Sequence, residues 1–189
     1  AWVPVGNTLY EKYHDEEWGR PVHDDQIIFE FLILESAQAG LSWAIILNKR
    51  ENYRAGFANF DAKKVAKFGA REITKLMKGD LKDPTKNIVR NRAKIEAAIG
   101  NARVFLEIQR EFGTFSTYMW SFVGGKPLTS KKPIKKLSSY PKFTPEAEAF
   151  AVDLKRRGFR FFGPTVAYAH MQAVGMVNDH MAGCFRKNL

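Results

Sequence analysis

The chain has 189 residues, 45% of them hydrophobic, a size and composition suited to one compact domain with a continuous buried core. Thirty basic residues against 20 acidic ones give a formal charge of +10, spread along the chain, which points to a polyanionic partner such as nucleic acid. A single cysteine excludes an intrachain disulfide framework, no basic-then-apolar leader is visible, and no apolar run reaches the roughly 18 to 20 residues of a membrane span, so a soluble cytoplasmic protein is expected.

The first segment with chemical character is Tyr10-Glu-Lys-Tyr13-His14-Asp15-Glu16-Glu17-Trp18-Gly19. Tyrosine hydroxyls and aromatic faces are what a nucleobase pocket uses, but Tyr10 and Tyr13, three apart, also suit a helical turn packed on the core. Helical periodicity then runs over about 24 to 50, 61 to 78, 87 to 112, 114 to 123, 145 to 157 and 164 to 182, with alternating strand patterns almost absent. An all-α fold is expected. Asp24 or Asp25 suits the first N-cap, Asp61 the second, and Thr144 followed by Pro145 the fifth.

On the first of these helices Ile28, Phe31, Leu32, Glu35, Ala39, Trp43 and Ile46 share one face, with Gly40 able to bend it. An unpaired charge inside a core is costly, so Glu35 needs a cationic partner, a bordering cavity or a raised pKa. Either a structural salt bridge or a ligand pocket with Trp43 as a stacking surface satisfies that requirement. Farther on, Lys78, Lys82, Lys86, Arg90, Arg92 and Lys94 surround the turn-rich stretch Gly79-Asp-Leu-Lys-Asp-Pro84-Thr between two predicted helices. Backbone N–H groups and a helix N-terminus there suit phosphate, though a solvated basic face has the same appearance. Residues 124 to 143, rich in Gly, Pro, Ser and Lys, read as a long basic surface loop.

Near the end, His180 and Cys184 have the i, i+4 spacing that puts an imidazole and a thiolate within reach of one Zn2+, with His14 as a distant third ligand. A core cysteine and an unrelated histidine fit the spacing equally. A zinc deaminase would also combine His, Cys and Glu with base chemistry, but its H-x-E and P-C-x-x-C elements are missing.

Read together, Leu9 to Gly19, Leu34-Glu-Ser-Ala-Gln-Ala-Gly-Leu-Ser-Trp43, Lys49-Arg-Glu-Asn-Tyr53, Asn87-Ile-Val-Arg-Asn-Arg92 and Val177-Asn-Asp-His180 closely resemble the 3-methyladenine DNA glycosylase I family, in order from Trp2 to Cys184. The resemblance implies one domain over 1–189 with the all-α helix-hairpin-helix DNA glycosylase fold. It implies two helical lobes flanking a cleft, with residues about 51–115 carrying the helix-hairpin-helix and the terminal segments forming the second lobe. It implies Glu35 hydrogen-bonding the adenine edge as the catalytic carboxylate, Trp43 stacking on the base, Tyr10 and Tyr13 lining the pocket, and Trp2 and Trp18 beside them. Lys86, Arg90, Arg92 and Lys94 are then expected to hold the DNA backbone.

A structural Zn2+ on His14, His180 and Cys184 would tie the chain ends together, with the family's fourth ligand, a cysteine, falling two residues before Trp2 and so ahead of Ala1. The implied activity is hydrolysis of the N-glycosidic bond of 3-methyladenine in double-stranded alkylated DNA, releasing the free base, by a monomer with no lyase activity. Helix-hairpin-helix glycosylases commonly use an Asp to activate water; the family resembled here is implied to lack it. The stretch Lys78 to Lys86 is longer than the family's usual hairpin and has no Gly-x-Gly. Two other readings stay open: a non-catalytic module that binds alkylated DNA, and a bifunctional enzyme that nicks the strand through a Lys Schiff base.

Overall fold

The computed structural model describes residues 3, 6–129, 134 and 136–188. Among these the chain forms α1 (Thr8–Glu16), α2 (Asp25–Gln38), α3 (Trp43–Asn48), α4 (Arg50–Gly56), α5 (Ala62–Val65), α6 (Ala70–Lys78), α7 (Arg92–Phe112), α8 (Phe115–Ser121), α9 (Pro145–Arg156) and α10 (Pro164–Ala173). The fold is mostly helical, as expected. The exception is a two-residue parallel bridge between β1 (Leu128–Thr129) and β2 (Val177–Asn178).

Side chains start the helices where the sequence offers acceptors. Asp24 accepts from Gln26 and Ile27 N–H, Asp61 from Lys64 N–H, and Thr144 from Ala147 N–H ahead of Pro145. Each such cap is worth about 1 kcal/mol.

Several helix boundaries depart from the periodicity. The expected helix over 24 to 50 breaks after Gln38: Gly40 takes φ +79°, Leu41 N–H turns back to Gln38 O at 2.6 Å, and the chain restarts as α3. The stretch 61 to 78 divides at Gly69, whose N–H donates to Glu72 at 2.8 Å as α6 begins. The helix expected from 87 begins at Arg92, because residues before it are drawn into a turn closed by Asn87, whose side-chain amide donates to Asp80 O at 2.9 Å. The last helix ends at Ala173 rather than near 182. Gly175 has φ +73°, and a β-carbon there would lie 2.3 Å from Arg20 C, so the chain must turn where the 17–22 connection crosses it.

The single-stripe reading of α2 is also corrected. All ten residues from Ile28 to Ala37 are buried, so α2 is the central helix, covered all round. It packs against α3, α7, α8 and α10. The 21-residue α7, about 31 Å long, carries Phe105, which lies 4.3 Å from Phe115 and 5.0 Å from Phe29 between ring centroids. Two carboxylates, Glu30 and Glu35, are thereby held inside the protein on one helix. Among the described residues no helix is long and apolar enough to cross a membrane.

Candidate active site

Glu30 and Glu35 meet the demand of burial in opposite ways. Glu30 accepts from the Arg50 guanidinium and from Arg54 at 2.8 Å, while Arg50 reaches on to Glu17 at 2.7 Å and lies over the Phe31 ring. The structural salt bridge that the sequence allows for Glu35 thus belongs to Glu30. Glu35 is 3% exposed, and its Oε2 has no hydrogen-bond partner among the described residues. Burial pushes its pKa from the usual 4.5 up to about 8. At neutral pH such a carboxyl is mostly neutral and ionises readily if a cation arrives.

Glu35 lines a cleft of about 230 Å³. Tyr10 and Tyr13 from α1, Trp18 just after it, and Trp43 at the start of α3 supply aromatic walls around Glu35. Gln38, Tyr140, Ala169 and Gln172 complete the lining. Tyr13 sits 5.3 Å from Trp43 and 6.3 Å from Tyr10 between ring centroids. Trp43 Nε1 is buried and, like Glu35 Oε2, lacks a partner among the described residues. A carboxyl acceptor and flat aromatic faces lining one cleft suit a planar heterocycle, bonded at its edge and stacked on its face. Burial first, and the nearness of Glu35 second, raise the pKa of both Tyr10 and Tyr13, so the phenols stay protonated.

Trp43 reaches the cleft by a different route from the one its spacing suggests. It is not on α2; the reversal at Gly40 swings it back over the cleft from the next helix. That reversal is clamped by Lys94, whose ammonium donates to Ala37 O at 2.8 Å and Ala39 O at 2.6 Å, capping the C-terminus of α2. Lys94, expected on the DNA backbone, is therefore committed to the α2 terminus. Lys86, Arg90 and Arg92 are exposed, pairing with Asp83, the Lys78 carbonyl and Glu96 respectively.

Trp18 joins the cleft to a second cluster, lying 4.6 Å from the His180 ring and 6.1 Å from His14. There Cys184 Sγ is 3.5 Å from His14 Nε2 and 3.6 Å from His180 Nδ1. All three ligand atoms lie within 4.8 Å of one another. A tetrahedral zinc with Zn–S near 2.3 Å and Zn–N near 2.0–2.1 Å separates sulfur from nitrogen by about 3.6 Å, so the donor set and both sulfur–nitrogen separations fit that ion. Asp15 accepts from His14 Nδ1 at 2.7 Å, turning Nε2 toward the cluster, and burial lowers the His180 pKa to about 4, keeping it a neutral donor.

The site therefore gathers Tyr10, Tyr13, Trp18, Glu35 and Trp43 in one cleft and His14, His180 and Cys184 in one cluster, while Trp2 lies outside the described residues. Sequence reasoning missed Tyr140, Gln172 and the clamp by Lys94. Only Lys94, basic at a helix start where acidic residues are usual, carries a local signal.

A methyladenine glycosylase family model matches residues 2–187. The chain is 44% identical over 184 residues to a protein of Escherichia coli K12 named DNA-3-methyladenine glycosylase 1, covering 97% of this chain and 94% of the relative. A crystal structure of a 3-methyladenine DNA glycosylase I superposes with a TM-score of 0.89 at 43% identity, covering 97% of this chain and 96% of the other. The Staphylococcus aureus enzyme, solved to explain 3-methyladenine recognition, superposes at 0.88 with 36% identity, covering 97% and 93%.

Proposed function

The chain belongs to the methyladenine glycosylase family, and from that membership together with the cleft we infer that it is a DNA-3-methyladenine glycosylase, hydrolysing the bond between deoxyribose and 3-methyladenine in alkylated DNA. The observation that carries the site assignment is a buried Glu35 whose Oε2 has no hydrogen-bond partner among the described residues, lining an aromatic-walled cleft together with Trp43.

Methylation at N3 leaves the adenine positively charged and its bond to C1′ already weakened. The protein's work is to take the nucleotide out of the stack, select the cation and hold it where water can add to C1′ as the base departs neutral. Glu35 selects by charge: the arriving cation favours its ionised form, which then accepts a hydrogen bond from the adenine edge. Trp43 stacks on the base, and Tyr10 and Tyr13 add electron-rich surface for cation–π attraction. An undamaged, neutral adenine gains neither the ion pair nor that attraction. Among the described residues Glu35 is the one carboxyl lining the cleft, so no second acid is assigned to water activation.

Residues about 51–115 form the helix-hairpin-helix in this reading, with α6, the turn around Asn87 and α7 as its core. The exposed Arg90 and Arg92 flank the α7 N-terminus, a natural seat for a phosphate, and Lys86 is exposed on the turn before it. The terminal segments make the other lobe. His14, His180 and Cys184 would hold a structural Zn2+, which would supply a crosslink between α1 and the C-terminal segment.

The test is incubation with DNA treated with a methylating agent, followed by chromatography of released bases and an assay for strand breaks before alkali. Release of 3-methyladenine without nicking is expected. Folded protein that binds the DNA but frees no base would replace the enzyme with a binding module, and nicking would establish a lyase.

A further inference from the structure

The connection over 124 to 143 is not a free surface loop in its described parts; it is stapled at three points to the segment following α10. Leu128 N–H donates to Met176 O at 2.8 Å within the β1–β2 bridge. Ala182 N–H donates to the carbonyl of buried Ile134 at 2.9 Å. Tyr140 OH donates to the Asp179 carbonyl at 2.8 Å, and the Tyr140 side chain lines the Glu35 cleft.

Asp179 holds a second part of the same lining. It is buried, and its carboxylate accepts from Gln172 Nε2 at 2.9 Å and from the Tyr168 hydroxyl. One residue thus anchors two cleft side chains, through its backbone to Tyr140 and through its carboxylate to Gln172. With the Tyr140 hydroxyl committed to Asp179, the ring is what it offers a ligand.

The residues on 10–43 that read positive charge are a separate set: Tyr10, Tyr13, Glu35 and Trp43. Charge cannot separate one cationic alkylpurine from another, because 7-methylguanine and 3-methyladenine in DNA carry the same positive charge. Discrimination among them needs shape and edge contacts. We propose that Tyr140 and Gln172, held in place by Asp179, form the wall that determines which alkylated purine the cleft accepts. This rests on the cleft being the base pocket, and it makes Tyr140 a specificity-determining residue.

The test uses one sample of methylated DNA containing 3-methyladenine, 3-methylguanine and 7-methylguanine, digested by wild type, Tyr140→Ala, Tyr140→Phe and Tyr140→Leu, with released bases separated by chromatography. The readout is the ratio of 3-methyladenine to the methylguanines within each digest, which a mere loss of active protein leaves unchanged. The ratio is expected to fall about tenfold or more in Tyr140→Ala, a change typical of pocket contacts. A smaller fall is expected in Tyr140→Phe, which keeps the ring but loses its tie. A ratio within twofold of wild type in folded Tyr140→Ala overturns the wall. If alanine prevents folding, Tyr140→Leu, which retains apolar bulk, takes its place under the same threshold. Wild type that releases no 3-methyladenine defeats the glycosylase reading instead, so the two failures are distinct.

Discussion

Replacing Glu35 by Gln should change how stability depends on pH more than any other single substitution in the cleft. In the folded protein the carboxyl ionises near pH 8, against 4.5 in the usual environment, and the cause is burial. Between those two values the folded state keeps a proton that the unfolded chain has lost, so stability is greatest below about pH 4.5, falls as pH rises and levels off above about pH 8. At about 1.4 kcal/mol per pH unit, the full gap is about 5 kcal/mol, of which about 3 kcal/mol is already felt at pH 7. Gln cannot ionise, so the variant escapes this loss. Urea unfolding of both proteins without DNA at pH 5, 7 and 9 measures it: stability of Glu35→Gln relative to wild type should rise by about 4 kcal/mol from pH 5 to pH 9. Taking the difference between proteins cancels titrations elsewhere and any constant cost of the amide. A difference that stays flat within about 0.5 kcal/mol over that range would mean Glu35 is hydrated or paired, and the argument from its burial would fail.

Trp43→Ala should lower kcat/KM for 3-methyladenine release about five- to 150-fold, from the roughly 1–3 kcal/mol that base–aromatic stacking supplies, with Trp43→Phe retaining most of it. Lys94→Met should destabilise the protein by a few kcal/mol in denaturant titration, since each charged hydrogen bond to Ala37 O and Ala39 O is worth on the order of 1.5–3 kcal/mol. The same variant should leave the salt dependence of DNA binding unchanged, whereas Lys86→Ala and Arg92→Ala should each reduce the slope by about one; the reverse pattern would return Lys94 to the phosphates. Protein purified with zinc should show one equivalent by metal analysis and a lower Tm after chelation, and Cys184→Ala should remove both the metal and the chelator effect.

The division between what the sequence revealed and what it withheld follows the range of the interactions involved. The starts of α2, α5 and α9 were legible because a cap is a local bond: Asp24, Asp61 and Thr144 each bind a backbone N–H two or three residues on. Helix stops were not, because Gly175 ends α10 through its closeness to Arg20 and Lys94 fixes the end of α2 from more than 50 positions away. The anomaly of Glu35 was visible as a charge amid apolar residues, but which buried glutamate finds arginines depends on α4 packing beside Glu30.

Trp43 shows how a correct outcome can have a different cause. Its spacing from Glu35 is that of one helical face, yet α2 has ended by residue 39, and a continuous helix would have carried Trp43 away along its axis at about 1.5 Å per residue, some 12 Å beyond Glu35. Only a reversal brings an indole back beside the carboxyl. The turn therefore belongs to the site as much as the side chains it joins: Gly40 makes the turn possible and Lys94 holds its entrance. Because Lys94 sits in the first turn of α7, the helix whose N-terminus is the candidate phosphate seat, the same residue ties that candidate seat to the geometry of the Glu35 cleft. Loosening Lys94 should accordingly impair base release even where DNA affinity is kept.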